Sequence, residues 1–349
     1  MHYPVSVPGN VAAVVIGGAN VDNKSATSGA PIMGTSNPGQ RRSSLGGVGR
    51  NVAENLARLG VPVSLVTVVG RDSDGARIIE ETEQSGVSMD HTVRASQPTG
   101  SYTAILNESG ELVVAVSAME SIDQLTPDVV NTVAEIIASA RVLILDCNVP
   151  EAALARAAEI ADERGVPIVI DPVSVTKSGR LVKLLLAGMR IHTITPNRAE
   201  LAALVGMDEM ADDVDVAGAE LSIARSALHA AGVSNVWIRL GAQGSVMSCA
   251  AGGLRRVYRI PALTARLVDA TGAGDAMLAG YVAAIVAGVK PAAAARYGSA
   301  AAAITVESEH TVSPTMTAEA VAARLALPGT GPGAADRNAS RLSMNKFPA

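Results

Sequence analysis

The sequence predicts an α/β fold: a mainly parallel sheet with helices on both faces, and a small β-sheet lid beside it. Three observations lead there. Short runs of Val, Ile, Leu and Ala recur without polar alternation, as strands buried on both faces require. Helical stretches follow these runs, the rhythm of a parallel sheet. Two regions, 23–45 and 99–119, break that rhythm with polar, Gly/Pro-punctuated or hairpin-like sequence.

The strand-like runs include 13–17, 63–69, 142–146, 167–170, 192–194 and 235–240. Helical stretches include 48–59, 128–138, 151–164, 197–205, 214–231, 273–287 and 292–304. Gly60, Gly86, Gly165, Gly232 and Gly288 stand where helices stop, a position that favours a left-handed residue. Residues 101–119 read as two strands about a turn at 107–110, and with 23–45 they form the expected lid. Residues 1–11 read as a flexible lead-in and 329–349 as a disordered, Gly- and Ala-rich tail, leaving one structured domain over 12–328.

Composition excludes several classes. Apolar residues make up 48 % of the 349, enough for a large core, while aromatics are only 2 %, too few for a site built on stacking alone. The net charge of −5 comes from mixed charges without a basic run, so neither nucleic acid nor an anionic membrane is an expected partner. Cys147 and Cys249 lie far apart without metal-ligand spacing. With no long apolar segment and no leader pattern, the expected location is the cytoplasm.

Five stretches carry chemistry. Residues 268–275 read VDATGAGD and open a helix. Gly272, Ala273 and Gly274 let backbone amides approach an anion at a helix start, and Asp275 in the first turn is placed to accept a proton from an attacking hydroxyl. The helix start is expected to lower the Asp275 pKa and weaken it as a base. Read as structure alone, the same residues make a tight turn and a favourable first-turn acid.

Gly46, Gly47 and Asn51 lie in a second Gly-rich helix entry, with neither the dinucleotide-binding nor the Walker spacing. Asn20 and Asp22 follow the first strand, where ligands of open α/β sheets bind, and Asp22 can hold a diol or cap a turn. Asn197 and Glu200 share a helix face, as oxygen ligands of a water-bridged Mg²⁺ or as a capping box. Gly241 and Gly244 make a Gly-rich turn after a strand, which could border a nucleotide.

In this order and at this spacing, the five stretches resemble the ribokinase/PfkB carbohydrate kinase family over nearly all of 12–327. The resemblance implies a Rossmann-like ribokinase fold with a lid, ATP and Mg²⁺, and a sugar or nucleoside acceptor. It implies that Asp275 is the base and that Gly272, Ala273 and Gly274 form its anion hole. Asn20, Asp22, Gly46, Gly47, Asn51 and Ser101 would contact the acceptor, and Asn197, Glu200, Arg239, Gly241 and Gly244 would line ATP, with Glu200 reaching Mg²⁺ through water. Asp269 and Thr271 match the family's site for a monovalent cation such as K⁺. GGVGRNVAENLARLG (46–60), Asp146-Cys147-Asn148, DPVSVTK (171–177) and PNRAE (196–200) resemble the branch that takes a carbon-linked uracil nucleoside. The 5′-hydroxyl of pseudouridine is therefore the expected acceptor, and ribose or another nucleoside the alternative. Glu120 departs from that branch, where Asn is expected. Lys177 reads as a surface lysine. The apolar positions Leu112, Val114 and Val116 suggest a homodimer paired through the lid sheet.

Overall fold

The apolar runs lie edge to edge in one eight-stranded sheet of the computed structural model, which describes residues 11–208 and 218–327. The expected lead-in up to residue 10, the start of the helix expected from 214, and the tail all fall outside the described residues.

The chain runs β1 (Ala13–Ile16), β2 (Asn20–Thr27), β3 (Gly39–Gly46), α1 (Val48–Arg58), β4 (Val63–Val66), β5 (Val68–Gly70), α2 (Ser73–Gln84), β6 (Val93–Ala95), β7 (Ser101–Leu106) and β8 (Leu112–Ala118). It continues through α3 (Pro127–Thr132), α4 (Ala134–Ser139), β9 (Val142–Asp146), α5 (Glu151–Glu163), β10 (Ile168–Asp171), α6 (Val175–Leu186), β11 (Ile191–Ile194), α7 (Arg198–Val205) and α8 (Ala219–Ala230). Last come β12 (Val233–Arg239), β13 (Ser245–Ala251), β14 (Leu254–Ile260), α9 (Ala273–Val286), α10 (Pro291–Thr305) and α11 (Ala318–Leu325).

The main sheet has the order β14-β13-β12-β11-β10-β9-β1-β4. Six strands are parallel, and β13 and β14 add an antiparallel edge. Alternation along each strand feeds two cores. Ala13 and Val15 of β1 face the layer of α1, α9 and α10, while Val14 and Ile16 face the layer of α5, α6 and α7. Helix α9 is buried along most of its length, hence apolar nearly all round. It approaches α10 closely because two glycines meet. A Cβ on Gly280 would stand 2.9 Å from the Gly298 Cα, and overpacking of that kind costs about 1–3 kcal/mol. This packing holds the start of α9 at the carboxyl ends of the parallel strands.

The lid is a separate sheet of order β3-β2-β7-β8. Its turn forms where the sequence marked it, with the Asn107 N–H donating to the Glu111 carbonyl at 2.9 Å. On its outer face Leu112, Val114 and Val116 are 58, 50 and 62 % exposed.

Two elements depart from expectation. The helix expected over 128–138 is two short ones, broken at Val133. The β-branched run Val129, Val130, Thr132 and Val133 disfavours a continuous helix there. The strand expected over 63–69 ends at Val66, and β5 leaves the main sheet to pair with β6. Among the described residues no helix is long and apolar enough to cross a membrane.

Candidate active site

Strand ends and two helix starts converge on one cleft, and a buried carboxylate fixes their spacing. Asp146 ends β9 and is 1 % exposed. Its Oδ2 accepts the Gly18 N–H at 2.9 Å and the Gly49 N–H at 2.7 Å, and its Oδ1 accepts the Asn148 N–H at 2.8 Å. Asp146 thereby ties the loop after β1 to the start of α1. The approach demands glycine: a Cβ on Gly17 would lie 2.4 Å from the Asp146 Oδ2, and one on Gly47 (φ 96°) 2.4 Å from the Gly18 carbonyl. Burial pushes the Asp146 carboxyl above its ordinary pKa, against the hydrogen bonds from Gly18 and Asn148.

The α1 start in turn meets the α9 start. Asn51 is buried, and its Nδ2 donates to the Asp275 Oδ2 at 2.8 Å. Gly272 takes the left-handed conformation (φ 79°) just before α9, and no side chain caps that helix. The Ala273 N–H turns back to the Ala270 carbonyl at 3.2 Å, so the first-turn amides of Gly274 and Asp275 are the ones left for an anion in the cleft, a fit to the phosphates of a nucleotide. Burial pushes the Asp275 carboxyl up to about 7. The charges of Asp171 and Asp146 add to the rise, and the Asn51 bond and Arg239 oppose it. The expected lowering by the helix start is therefore overturned, because desolvation outweighs it. A carboxyl near neutrality can both take and release a proton.

Across the cleft a second buried group gathers charge. Arg239 ends β12, and its Nη1 lies 3.0 Å from the Asp171 Oδ2 and its Nη2 3.1 Å from the Glu200 Oε2. Burial alone would lower the Arg239 pKa, yet Asp171, Glu200 and Asp275 together raise it, so the cation is firmly held. A Cβ on Gly274 would lie 2.7 Å from the Arg239 Nη1, so the guanidinium borders the glycine loop. Asn197 and Glu200 form a reciprocal capping box at the start of α7, each side chain accepting the other's backbone N–H at 2.9 Å. Both readings of the pair thus share these residues, with the Glu200 Oε2 already shared by Arg239.

Asn20, Asp22, Gly46 and Ser101, the residues expected to contact the acceptor, lie together where the lid strands begin or end. Asn20 Nδ2 donates to the Asp22 Oδ1 at 2.7 Å, and a Cβ on Gly46 would fall 2.1 Å from the Asp22 Oδ2. Ser101 opens β7 opposite Val21. A cavity of about 280 Å³ opens beside them, lined among others by Asn20, Gly100, Met119, Glu120, Asn148 and Lys177. Lys177 is therefore no free surface lysine. Its Nζ donates to the Asn148 Oδ1 inside this cavity, and burial lowers its pKa. The turn before it is strained: Val173, β-branched, has φ 68°, at a cost of about 1–3 kcal/mol. Val173 is held there by its N–H donating to the Asp171 Oδ1 at 2.8 Å.

Two groups stand further out. Gly241 (φ 57°) and Gly244 (φ 86°) turn the chain between β12 and β13, and a Cβ on Gly244 would meet the Ile260 carbonyl at 2.2 Å. Thr271 donates its N–H to the Asp269 Oδ1 at 2.8 Å in the loop before α9, where Thr271 is exposed. Among the described residues no cluster of three His, Cys, Asp or Glu side chains gathers to hold a metal.

Known proteins resemble this chain along most of its length. A family profile described as pfkB family carbohydrate kinase matches residues 12–318. An uncharacterized sugar kinase of Escherichia coli, YeiI, is 35 % identical over 307 residues, covering 88 % of this chain and 81 % of its own. The pseudouridine kinase of E. coli is 33 % identical over 304 residues, covering 86 % and 92 %. The structure of Arabidopsis thaliana ribokinase complexed with ribose and ATP superposes with a TM-score of 0.76 at 25 % identity, over 90 % of this chain and 98 % of that one.

Proposed function

The chain belongs to the pfkB family of carbohydrate kinases, and we propose that it moves the γ-phosphate of ATP onto the 5′-hydroxyl of pseudouridine. As a member of that family it is a phosphotransferase with an alcohol acceptor. One observation carries the finer reading. The cavity at the lid hinge presents Asn20, Asn148, Lys177 and Glu120 in a chain with almost no aromatics to stack a base. A uracil joined through carbon keeps both ring N–H groups as donors, and polar groups of this kind can read them. The 33 % identity to a pseudouridine kinase supports the same choice.

In this reading Asp22 receives the ribose diol, and Asn51 and Gly46 shape the floor beneath it. Asp275 accepts the 5′-hydroxyl proton as that oxygen attacks. The first-turn amides of α9 receive the negative charge that develops on the transferred phosphoryl group, and Arg239 stands behind them. Asn197 and Glu200 would be the residues to hold, through water, the Mg²⁺ that accompanies ATP and offsets its phosphate charge. The lid excludes water that would otherwise compete for the phosphoryl group. A homodimer through the outer lid face around Val114 belongs to the same proposal, and a monomer mass in sedimentation velocity would contradict it.

The acceptor side is tested at Asp22. Asp22→Ala should raise the KM for pseudouridine about tenfold or more with a smaller change in kcat, as expected for a group that binds ground and transition states alike. An unchanged KM would refute the diol contact.

A further inference from the structure

Helix α1 carries charges inside the protein that the proposed chemistry leaves unused. Arg50 and Glu54 are 6 and 5 % exposed. They pair with each other one turn apart, and the Glu54 Oε1 also receives the Nε and Nη2 of Arg58 at 2.9 and 2.8 Å. A buried ion pair gives little net stability over apolar side chains of the same volume, so stability alone is a weak reason for it.

The rest of the Arg50 guanidinium points to a use. Its Nη1 donates to the Asn51 Oδ1 at 3.1 Å and to the Leu45 carbonyl at 3.4 Å, and its Nε donates to the Thr82 hydroxyl at 3.3 Å. A guanidinium only donates, and an ionised carboxylate only accepts. Asn51 lies between one of each. Its carbonyl must face Arg50 and its NH₂ must face Asp275, where the bond is 2.8 Å. A flipped carboxamide would set donor against donor and oxygen against carboxylate.

We propose that Arg50 is a positioning residue: it locks the Asn51 carboxamide with its N–H toward Asp275, and through the Leu45 carbonyl it ties that lock to the end of lid strand β3. The functional consequence rests on the reading of Asp275 as the base. Arg50 decides how much of the carboxylate form Asn51 stabilises, and the lid end of β3 is held by the same guanidinium. The charges around Asp275 are Asp146 on β9, Asp171 on β10 and Arg239 on β12. Those around Arg50 are Glu54 and Arg58 on α1, Arg77 and Glu81 on α2 and Asp22 on β2.

The test is a carboxyl titration of the full chain carrying ¹³C-labelled aspartate, with the Asp275 signal assigned from Asp275→Asn. Arg50→Met/Glu54→Leu removes the pair together, so the local net charge does not change and the fold keeps apolar volume in its place. The Asp275 midpoint is expected to rise by about one pH unit. Asn51→Ala should raise it similarly, and joining Asn51→Ala to the double variant should add nothing, because both act through one bond. Arg50→Lys, which keeps a charged donor, should give the smaller rise and is the variant to read if the double one does not fold. An unmoved midpoint in these variants, or rises that add, would overturn the proposal. The titration uses neither acceptor nor ATP. Full turnover by Asp275→Asn beside the expected shifts would therefore sink the base reading and leave the role of Arg50 intact.

Discussion

Asp275→Asn is expected to lower kcat by about 10²–10⁴-fold, the usual contribution of a positioned proton acceptor. The KM for the nucleoside should stay within a few fold, because Asp22, Gly46 and Asn51 hold the acceptor in the proposed site. The pH dependence follows from the raised pKa. The carboxylate is the form that takes the proton, so the wild-type kcat/KM, which reports ionisations of the free enzyme, should climb as pH rises to about 7 and level off above it. The effect on stability has the opposite sign. The folded-state pKa lies above the ordinary 3.8, so the stabilising contribution of Asp275 is full below that value and is lost as pH rises through about 7. The variant should therefore melt higher than the wild type at pH 8, with the gap closing near pH 4. Retained turnover, or a variant that melts lower at pH 8, would contradict this placement of the group.

Arg239→Met should have the largest effect on stability, about 3–5 kcal/mol, because it strands two buried carboxylates. The side chains of Asp171 and Glu200 are 3 and 4 % exposed, so water cannot take over from the lost cation. Urea denaturation reads the loss as a lower midpoint. Adding Asp171→Asn and Glu200→Gln should return much of it, since the unpaired charges and not the missing contact carry the cost. A single variant as stable as the wild type would mean that these carboxylates find another partner.

Much of this site is legible in the sequence because its chemistry is local. The GAGD stretch, the Gly-rich entry to α1 and the Asn197/Glu200 pair each act through neighbours in the chain, and each forms the helix start that its spacing predicts. The lid was legible for the same reason, through the turn at Asn107. The roles of Asp146 and Asp171 were not, although both stand in stretches that carry the resemblance. Each is one acid closing an apolar run, and only the neighbouring order of β1, β9 and β10 brings them beneath the cleft. Arg50 hid in the same way, since a charged residue on an amphipathic helix gives no sign of facing inward. The pKa of Asp275 was misjudged because the helix start is visible in the sequence and the burial around it is not.

Other misses had a signal. The hairpin of β13 and β14 turns on Gly252 and Gly253, at φ 57° and 78°, the pair that a two-residue turn asks for. Helices α2, α6 and α11 begin after Asp72, Ser174 and Thr317, whose side chains cap the amides of Gly75, Lys177 and Ala320. Capping residues followed by short amphipathic stretches mark all three. The same α6 cap places Lys177 in the cavity, which is why a lysine read in isolation looked like surface.

The central claim is a kinase whose acceptor is a carbon-linked uracil nucleoside. The most direct measurement mixes the purified protein with Mg-ATP and, separately, pseudouridine, uridine, adenosine, ribose and fructose, and records ADP release and product mass. ADP formed largely with pseudouridine, with a product heavier by one phosphoryl group, is the expected result. Turnover confined to ribose or another nucleoside would contradict the acceptor, and no ADP with any of the five would contradict the kinase itself.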